Sequence, residues 1–194
     1  MRSILRRHEH GGKSSRGLLD PENILKDAGL HKGDTFLDAG SGDGYFSVAA
    51  SSVVGESGKV YAVDIFREAI ERLEHEIAQK HIHNITTFVS DIADGVPIED
   101  KSVDMALMAD VLHGFVTSKE VDDSLREIAR TIKEKGKLLV VDFKKMQPPP
   151  GPPMSIRMTQ EEVESVIGSY GFKMERAREV SPYHYGVVFV FKGK

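Results

Sequence analysis

Short apolar runs alternate along the chain with segments in which apolar residues recur at helical spacing. The apolar runs predict strands at 35–39, 59–64, 85–89, 103–108 and 137–143, with two more strands at 172–176 and 187–191. The helical spacing predicts helices at 21–28, 44–54, 67–80, 118–134 and 159–170. Asp20 and Pro21 are typical of a helix start, as is the sequence Thr-Gln-Glu-Glu at 159–162, and Gly29 is typical of a helix end. The alternation of strands and helices predicts an α/β protein.

The connections between the predicted strands determine the kind of sheet. Most strands are separated by a helix, which indicates a parallel sheet covered on both faces. The last two strands are joined only by residues 177–186, too few for a helical crossover, so this pair should be antiparallel. We therefore expect a Rossmann-like, doubly wound sheet of seven strands, six parallel and one reversed, with helices on both faces.

Composition sets limits on the class of protein. The 194 residues suit one domain, which we place at 18–194 after a basic segment at 1–17. No apolar run is long enough to span a membrane, and the first residues lack the apolar stretch of a signal peptide, so we expect a cytoplasmic protein. A net charge of −4 argues against nucleic acid as a partner. The absence of cysteine excludes disulfides, thiolate metal sites and cysteine nucleophiles.

Two segments have a composition of their own. Residues 1–16 contain five basic residues and one acidic residue, Glu9, which fits either a frayed tail or a flap that attracts an anionic substrate, partner or surface.

Residues 144–157 contain five of the eight prolines and can form neither a helix nor a central strand. They follow the carboxyl end of the fifth strand, where open α/β sheets bind ligands, so we interpret them as a wall or lid over the substrate. A stiff connector away from the site is the alternative.

A glycine-rich loop joins the first strand to the second helix. Gly40, Gly42 and Gly44 allow positive φ and a close approach of the backbone to a ligand. A dinucleotide fingerprint needs a third glycine at position 45, where Tyr45 stands. Asp38, at the end of the strand, is badly suited to pyrophosphate and well suited to a ligand that has an ammonium group as well as a carboxylate. The methionine moiety of S-adenosylmethionine has both groups.

Acidic residues also follow the second and third strands. Asp64 ends the second strand, where a carboxylate can accept both ribose hydroxyls of an adenosine ligand. Asp91 follows the third strand and could accept a hydrogen bond from an adenine amino group, with Ile92 against the ring. Each acid taken alone is more often a helix cap or part of a solvated loop. Three at the same edge of one sheet indicate a binding site.

The order of these motifs resembles the class I S-adenosylmethionine-dependent methyltransferases over roughly residues 18–191. The resemblance is carried by LDAGSGDGYFS at 37–47, VYAVDI at 60–65, VSDIADGVPIEDKSVD at 89–104, MALMADVLHGF at 105–115 and IKEKGKLLVVDF at 132–143. Within that family the chain is most similar to small enzymes of the menaquinone/ubiquinone-methyltransferase and type 11 kind.

The resemblance implies a role for each matching position. The residues implied for the methionine moiety are Asp38, Gly40, Ser41, Gly42 and Gly44; for the ribose, Asp64; for the adenine, Ile65, Asp91 and Ile92; and for the floor beneath the sulfonium and methyl, Ala109, Asp110 and His113.

The chain departs from the family pattern in several places. Ser41 stands where many relatives have cysteine, and Glu134-Lys135-Gly136 replaces a proline-glycine-glycine turn, which should only relax that turn. The absence of cysteine argues against arsenite as the acceptor. No Asn/Asp-Pro-Pro-Tyr sequence follows the fourth strand, which argues against methylation of adenine or glutamine amino groups.

Methyl transfer needs alignment of donor and acceptor, and a base only where the acceptor must lose a proton. The candidates are His113, which could equally be a residue that shapes the pocket, Asp142, which could orient an acceptor amine, and His184, in a loop that could line an acceptor pocket. The pairs His8/His10 and His81/His83 lack a third ligand at a recognisable spacing, so we predict no metal site.

The leading hypothesis is methyl transfer from S-adenosylmethionine to a small or medium acceptor, with a protein side chain as the second choice of acceptor. A module that binds S-adenosylmethionine or S-adenosylhomocysteine without turnover, as a partner or sensor, is the alternative. A nicotinamide dehydrogenase would share the fold, but the glycine loop argues against it at Tyr45. The acceptor and the oligomeric state cannot be derived from the sequence.

Overall fold

The computed structural model describes residues 16–147 and 151–193. Within this part of the chain, seven strands form one sheet: β1 Thr35–Ala39, β2 Lys59–Asp64, β3 Ile85–Val89, β4 Val103–Ala109, β5 Ile132–Phe143, β6 Phe172–Glu179 and β7 His184–Phe191. Their order across the sheet is β3-β2-β1-β4-β5-β7-β6. The chain order therefore reverses at β1, and the edge next to the carboxyl ends of β1 and β4 is where such sheets bind ligands.

The direction of the strands agrees with the prediction from connection length. β1 to β5 are parallel to their neighbours, and β7 runs antiparallel to both β5 and β6. The predicted α/β sheet of six parallel strands and one reversed strand is confirmed.

Six α-helices cover the sheet in the described part of the chain: α1 Pro21–Ala28, α2 Tyr45–Val54, α3 Arg67–Gln79, α4 Leu112–Ser118, α5 Val121–Thr131 and α6 Gln160–Gly168. The cap signals in the sequence function as expected. Asp20 accepts a hydrogen bond from the Asn23 backbone at the start of α1, and Gly29 ends this helix at a φ of 93°. Thr159 and Glu162 form a reciprocal capping box at the start of α6.

The apolar core lies in two layers, one on each face of the sheet. On one face α1 and α2 pack against the sheet, with Leu25, Phe36 and Ala50 fully buried. On the other face α4, α5 and α6 do so, with Leu112, Leu125 and Val163 fully buried. Helices on both faces leave only the strand ends and the connecting loops accessible to a ligand.

One predicted helix is wrong in its extent. The prediction placed a helix at 118–134, whereas the chain forms α4 and α5, separated at Lys119, which adopts a φ of 63°. The helix α4 was missed because its sequence, LHGFVTS, is too short for a periodic pattern. The far end was overestimated because β5 begins at Ile132, where the backbone becomes extended.

The predicted connection between the last two strands is also too long. Strand pairing extends the hairpin so that only residues 180–183 remain between β6 and β7. His184 pairs with Phe143 and Tyr185 with Asp142 in the ladder between β7 and β5. The placement of His184 and Tyr185 in a loop was therefore wrong, because pairing with the whole length of β5 continues the strand beyond its apolar run.

The proline-rich segment, as far as it is described, forms neither a helix nor a strand, as predicted. It packs on the end of β5, where Gly151 lies against the ring of Phe143. Across the described residues, every helix is too short or too polar to serve as a membrane span.

Candidate functional site

The glycine loop lies between β1 and α2 and is shaped by positive backbone angles. Gly40, Gly42 and Gly44 have φ values of 83°, 54° and 80°. A side chain at Gly40 would lie 2.6 Å from Val111, whereas one at Gly42 would meet no described atom within 4 Å. The loop is therefore closed against the protein at Gly40 and open at Gly42, where a ligand can approach the backbone.

Ser41 places a hydroxyl group in the loop that forms no hydrogen bond with the described residues. Its side chain is buried. Buried hydroxyls are normally paired, so this one is suited to a bound ligand. Together with the open space at Gly42, it suits the amino-acid end of S-adenosylmethionine, and this role of the loop stays a prediction.

Asp38 lies beneath the loop and is almost completely buried. Its Oδ2 accepts a hydrogen bond of 2.6 Å from the Ser47 hydroxyl in α2. Burial, with a smaller contribution from the negative charges of Asp64 and Asp43, raises the pKa of Asp38 to about 7, although the Ser47 bond opposes this shift. A ligand ammonium group nearby would favour the charged carboxylate.

Asp64 connects the end of β2 to the glycine loop. One carboxylate oxygen accepts a hydrogen bond of 2.8 Å from the Gly42 backbone, and the other accepts one of 2.8 Å from the Phe66 backbone. Each oxygen of a carboxylate can accept more than one bond, so these contacts leave acceptor capacity for ribose hydroxyls. The ribose role of Asp64, with Ile65 half-buried beside it, remains a prediction.

Asp91 and Ile92, which we expected to contact the adenine, both have structural roles in the protein itself. Asp91 caps a short 3₁₀ helix, Ile92–Asp94, through a bond of 2.9 Å from the Ala93 backbone. Ile92 is buried in the core layer that contains α4 and α5. Their adenine roles remain predictions, and the sequence alternative of a helix cap is observed for Asp91.

The end of β4 brings a strained acidic residue to the same edge. Ala109 ends the strand, and Asp110 follows with a φ of 56°, held by a bond of 2.9 Å from its backbone N–H to the Val141 carbonyl. Non-glycine residues in this conformation are uncommon and concentrate at functional sites. Asp110 lies 3.5 Å from Nε2 of His184, without the geometry of a hydrogen bond.

His113, at the start of α4, and Asp142, near the end of β5, form a buried pair. Nδ1 of His113 lies 3.0 Å from each oxygen of the Asp142 carboxylate, and Asp142 has no exposed surface. Burial alone would lower the pKa of His113, but the hydrogen bond and charge of Asp142, with the charge of Asp110, raise it overall. The sequence named both residues without indicating that they are in contact.

His184 is fully buried at the start of β7, and its tautomer follows from its neighbours. The hydroxyl oxygen of Ser181 accepts backbone bonds from Tyr183 and His184, which occupy its two lone pairs. Its hydrogen therefore points to Nδ1 of His184, 2.9 Å away. In the neutral ring the proton is then on Nε2, on the side of Asp110.

Sequence reasoning missed Arg157, which the structure brings to this site. Its guanidinium is almost completely buried, donates to the carbonyls of Pro152 and Lys144, and lies 5.3 Å from the centre of the Phe143 ring. A single arginine after a proline-rich stretch has no pattern that would distinguish it from a solvated one. Its burial depends on how residues 151–157 pack on β5.

The N-terminal end of the described chain also reaches the glycine loop. Arg16 forms ion pairs with Asp43 in the loop and Glu76 in α3, and its guanidinium lies 5.0 Å from the centre of the Tyr45 ring. The hydroxyl of Tyr45 donates to the Leu19 carbonyl. A dinucleotide loop would have glycine at position 45. Here Tyr45 instead contacts Arg16 and Leu19 and so holds the segment before α1 against the glycine loop. The interpretation of residues 1–17 as a flap stays a prediction, because residues 1–15 lie outside the described structure.

No cluster of three or more potential metal ligands occurs in the part of the chain that the structure describes. His81 and His83 are both exposed, and the pair His8/His10 lies outside the described residues.

Comparison with known proteins identifies relatives over most of the chain. Residues 30–179 match the family described as a methyltransferase domain. A SAM-dependent methyltransferase from Aquifex aeolicus has a similar crystal structure, with a TM-score of 0.83 and 31% identity over 93% of this chain and 94% of that one. A type 11 methyltransferase structure from Sulfolobus solfataricus gives a TM-score of 0.76 and 26% identity, covering 91% of this chain and 95% of its own.

Two curated relatives are similar over a shorter length. A 2-phytyl-1,4-naphtoquinone methyltransferase from Trichormus variabilis is 31% identical over 126 residues, which cover 63% of this chain and 52% of the relative. A ubiquinone/menaquinone biosynthesis C-methyltransferase from Azotobacter vinelandii is 32% identical over 118 residues, 61% of this chain and 46% of the relative. The chain thus spans about half the length of the curated relatives it matches.

Proposed function

The chain belongs to the S-adenosylmethionine-dependent methyltransferases, and we propose that it transfers a methyl group by in-line displacement to a small-molecule acceptor. The observation that carries the proposal is the glycine loop. A buried Ser41 hydroxyl that bonds to no described residue, and open space at Gly42, lie beside the buried carboxylate of Asp38. This combination of donor, space and negative charge suits the amino-acid end of the methyl donor.

The residues of this chain bind and align the donor. The loop from Gly40 to Gly44 and Asp38 would hold its amino-acid end, Asp64 its ribose, and Asp91 its adenine. S-adenosylmethionine supplies a methyl group already activated by a positively charged sulfur. The protein then has to hold donor and acceptor at near-attack distance and exclude water, and no covalent intermediate on the enzyme is required.

For the acceptor, we infer a small aromatic molecule of the reduced-quinone type. Two relatives carry quinone substrates or pathways in their names. In this chain the edge beside the glycine loop is lined by Asp110 and His113, and residues 151–157 pack over the Phe143 ring behind them. A protein side chain as acceptor remains the second candidate.

The first test is the transfer itself. The purified chain is incubated with tritium-labelled S-adenosylmethionine and a dithionite-reduced naphthoquinone, and the organic phase is counted. We expect tritium in the quinol fraction, with equimolar S-adenosylhomocysteine in the aqueous phase. Tight binding of the donor without transfer to this acceptor or to cell extract would support the alternative of a sensor.

The second test removes the carboxylate of Asp64, which we assign to the ribose hydroxyls. Asp64→Ala should weaken S-adenosylmethionine binding by about 1–3 kcal/mol in calorimetric titration, because the hydroxyls lose a buried partner. Glu68→Ala, an exposed acid in the first turn of α3, is the matched control and should leave the dissociation constant unchanged. A dissociation constant of Asp64→Ala equal to that of the control would mean that the ribose is held elsewhere.

A further inference from the structure

We propose that His113 is the general base of the reaction, that its Nε2 takes a proton from an aromatic hydroxyl group of the acceptor, and that Asp142 is the positioning residue behind it. The proposal rests on the methyl transfer proposed above and deepens it. It restricts the acceptor to compounds that must lose a proton, such as phenols and hydroquinones. A thiol that is already ionised, or a tertiary amine, would gain nothing from such a base.

The first argument is the orientation of the imidazole. Both oxygens of Asp142 lie 3.0 Å from Nδ1 of His113, which fixes the hydrogen of the neutral ring on Nδ1. Nε2 is then the nitrogen with a free lone pair. Asp142 is fully buried and also accepts a bond of 2.8 Å from the Phe143 backbone, so its carboxylate cannot rotate freely. This is the arrangement that holds a histidine base in one tautomer in hydrolase triads.

The second argument is position. His113 lies in the first turn of α4, two residues after Val111, whose side chain is packed against Gly40 of the glycine loop. The start of α4 therefore abuts the loop that we assign to the methyl donor. His113 is buried except for a small fraction of its surface, 8%, which suits a group that meets a substrate in a site from which water is excluded.

The third argument is the charge around the ring. The groups that face His113 are Asp142 from β5, Asp110 from the end of β4 and Arg157 from the segment before α6. The two carboxylates stabilise the protonated ring, and the guanidinium opposes them. Burial would lower the pKa of His113, but the hydrogen bond and charge of Asp142, with the charge of Asp110, outweigh it and raise the pKa from its ordinary value. The ring therefore accepts a proton more readily than it would without these carboxylates.

The chemical step balances without any further reactant. The electron pair of the acceptor oxygen, or of the ring carbon conjugated with it, forms the new bond to the methyl carbon. If carbon attacks, the product is first the keto tautomer, which loses the proton of that ring carbon to water and regains a proton on oxygen, so that the ring becomes aromatic again. The bond from the methyl carbon to sulfur breaks, and its electron pair stays on sulfur, which becomes a neutral thioether. The hydroxyl proton passes to Nε2 of His113, where the imidazolium is paired with the Asp142 carboxylate. After the product leaves, Nε2 returns the proton to water.

The kinetic experiment compares wild type, His113→Asn and Asp142→Asn with naphthohydroquinone as the acceptor, from about pH 5.5 to about pH 9. The wild-type rate should rise with pH to a plateau. His113→Asn should lose about 10²- to 10⁴-fold in rate near pH 7 and lack the plateau, because the acceptor must then ionise unaided. His83→Asn, an exposed histidine, is the matched control and should retain the wild-type profile.

A role of the pair that is merely structural predicts something different. His113→Asn would then lower the thermal unfolding temperature but keep the shape of the pH profile, and this result would overturn the proposal. Calorimetric titration with S-adenosylmethionine separates an effect on donor binding from an effect on methyl transfer. If His113→Asn binds the donor within about twofold of the wild-type affinity, the donor site is intact. Wild type that binds the donor but methylates no quinol would contradict the acceptor proposed above.

A second measurement decides on the base without an acceptor. NMR titration of histidine-labelled protein should show that His113 protonates with a pKa above that of a free histidine, and Asp142→Asn should lower this pKa. A ring that stays neutral throughout the titration, or whose titration is unaffected by Asp142→Asn, would overturn the proposal whatever the acceptor.

Discussion

At the scale of single residues, the site depends on carboxylates whose surroundings differ. Asp38 is buried and accepts a bond from the Ser47 hydroxyl, whereas Asp64 accepts two backbone bonds, one of them from Gly42 in the loop. Asp142 is buried against an imidazole. These surroundings determine which carboxylate needs an external cation. Burial disfavours the charged form of Asp38, and a ligand ammonium group would compensate for it.

This difference predicts a pH dependence of donor binding. With a folded pKa of about 7, Asp38 is mostly protonated at mildly acidic pH and becomes the carboxylate that attracts the ammonium group as the pH rises. The affinity for S-adenosylmethionine should therefore increase between about pH 5.5 and about pH 7, by at most about tenfold per pH unit for one proton. Calorimetry in two buffers of different ionisation enthalpy should show proton release on binding near pH 6.5.

Asp38→Asn is the control for this prediction. It should bind the donor more weakly at neutral pH and lose the increase in affinity with pH. A pH dependence that persists in Asp38→Asn would assign the titration to another group. The same pKa shift affects the folded state in the opposite direction: between the unfolded value of 3.8 and about 7, the stability contribution of Asp38 falls as the pH rises.

At the scale of elements, the first residues of β5 pair irregularly with β4, and Lys135 and Gly136 lie at this irregularity. Val103 pairs with Ile132 and Met105 with Lys137, so β5 carries extra residues opposite β4. Lys135 absorbs them at a φ of 65°. At Gly136 a side chain would lie 2.8 Å from the Ile132 side chain and 2.9 Å from the Lys133 carbonyl, so glycine is required there. Of the two glycines in the proline-glycine-glycine turn of the family, this chain therefore keeps the second, Gly136. It has Lys135 in place of the first, in a left-handed conformation that is strained for lysine.

Lys135→Gly should stabilise the protein. Left-handed backbone costs a non-glycine residue about 1–2 kcal/mol, and the extra freedom of glycine in the unfolded chain offsets about 0.5–1 kcal/mol of that gain. We expect a net increase of about 0.5–1 kcal/mol in the free energy of unfolding, measured by denaturant titration. Lys173→Gly, at a position of β6 that is paired with Val190 of β7, is the matched control and should lower it. A loss of stability in both variants would contradict the strain at Lys135.

At the scale of the whole molecule, the parts of the site come from both ends of the chain. The glycine loop follows β1, the pair of His113 and Asp142 joins α4 to β5, and His184 belongs to β7. Arg16 connects the N-terminal end of the described chain to Asp43 in the loop. A ligand in this site would contact segments that are far apart in sequence, so its binding should be coupled to global unfolding.

Donor binding should therefore raise the unfolding temperature of the whole domain. At a free concentration one hundred times its dissociation constant, S-adenosylmethionine should add about 2.7 kcal/mol to the free energy of unfolding. For a chain of this size that corresponds to an increase of about 5–10 °C in a calorimetric scan. NAD at the same concentration is the control and should have no effect. Stabilisation by NAD alone would contradict the assignment of the glycine loop.

The sequence by itself determined the features that depend on neighbouring residues. Apolar periodicity located the strands, cap residues located the start of α1 and the start of α6, and a short final connection required one antiparallel strand. The glycine loop and the acids near it were also visible, because parallel strands present their carboxyl ends at one edge. Local pattern was insufficient for the short helix α4 and for the extension of β7 to His184.

Only the tertiary structure decided which side chains meet. The contacts between His113 and Asp142, between His184 and Asp110, and between Arg157 and Phe143 join segments that are separated along the chain. Their distances follow from strand order, register and packing, which no local pattern encodes. Burial is likewise a property of the assembled layers, and it is burial that raises the pKa of Asp38 and leaves the Ser41 hydroxyl available to a ligand.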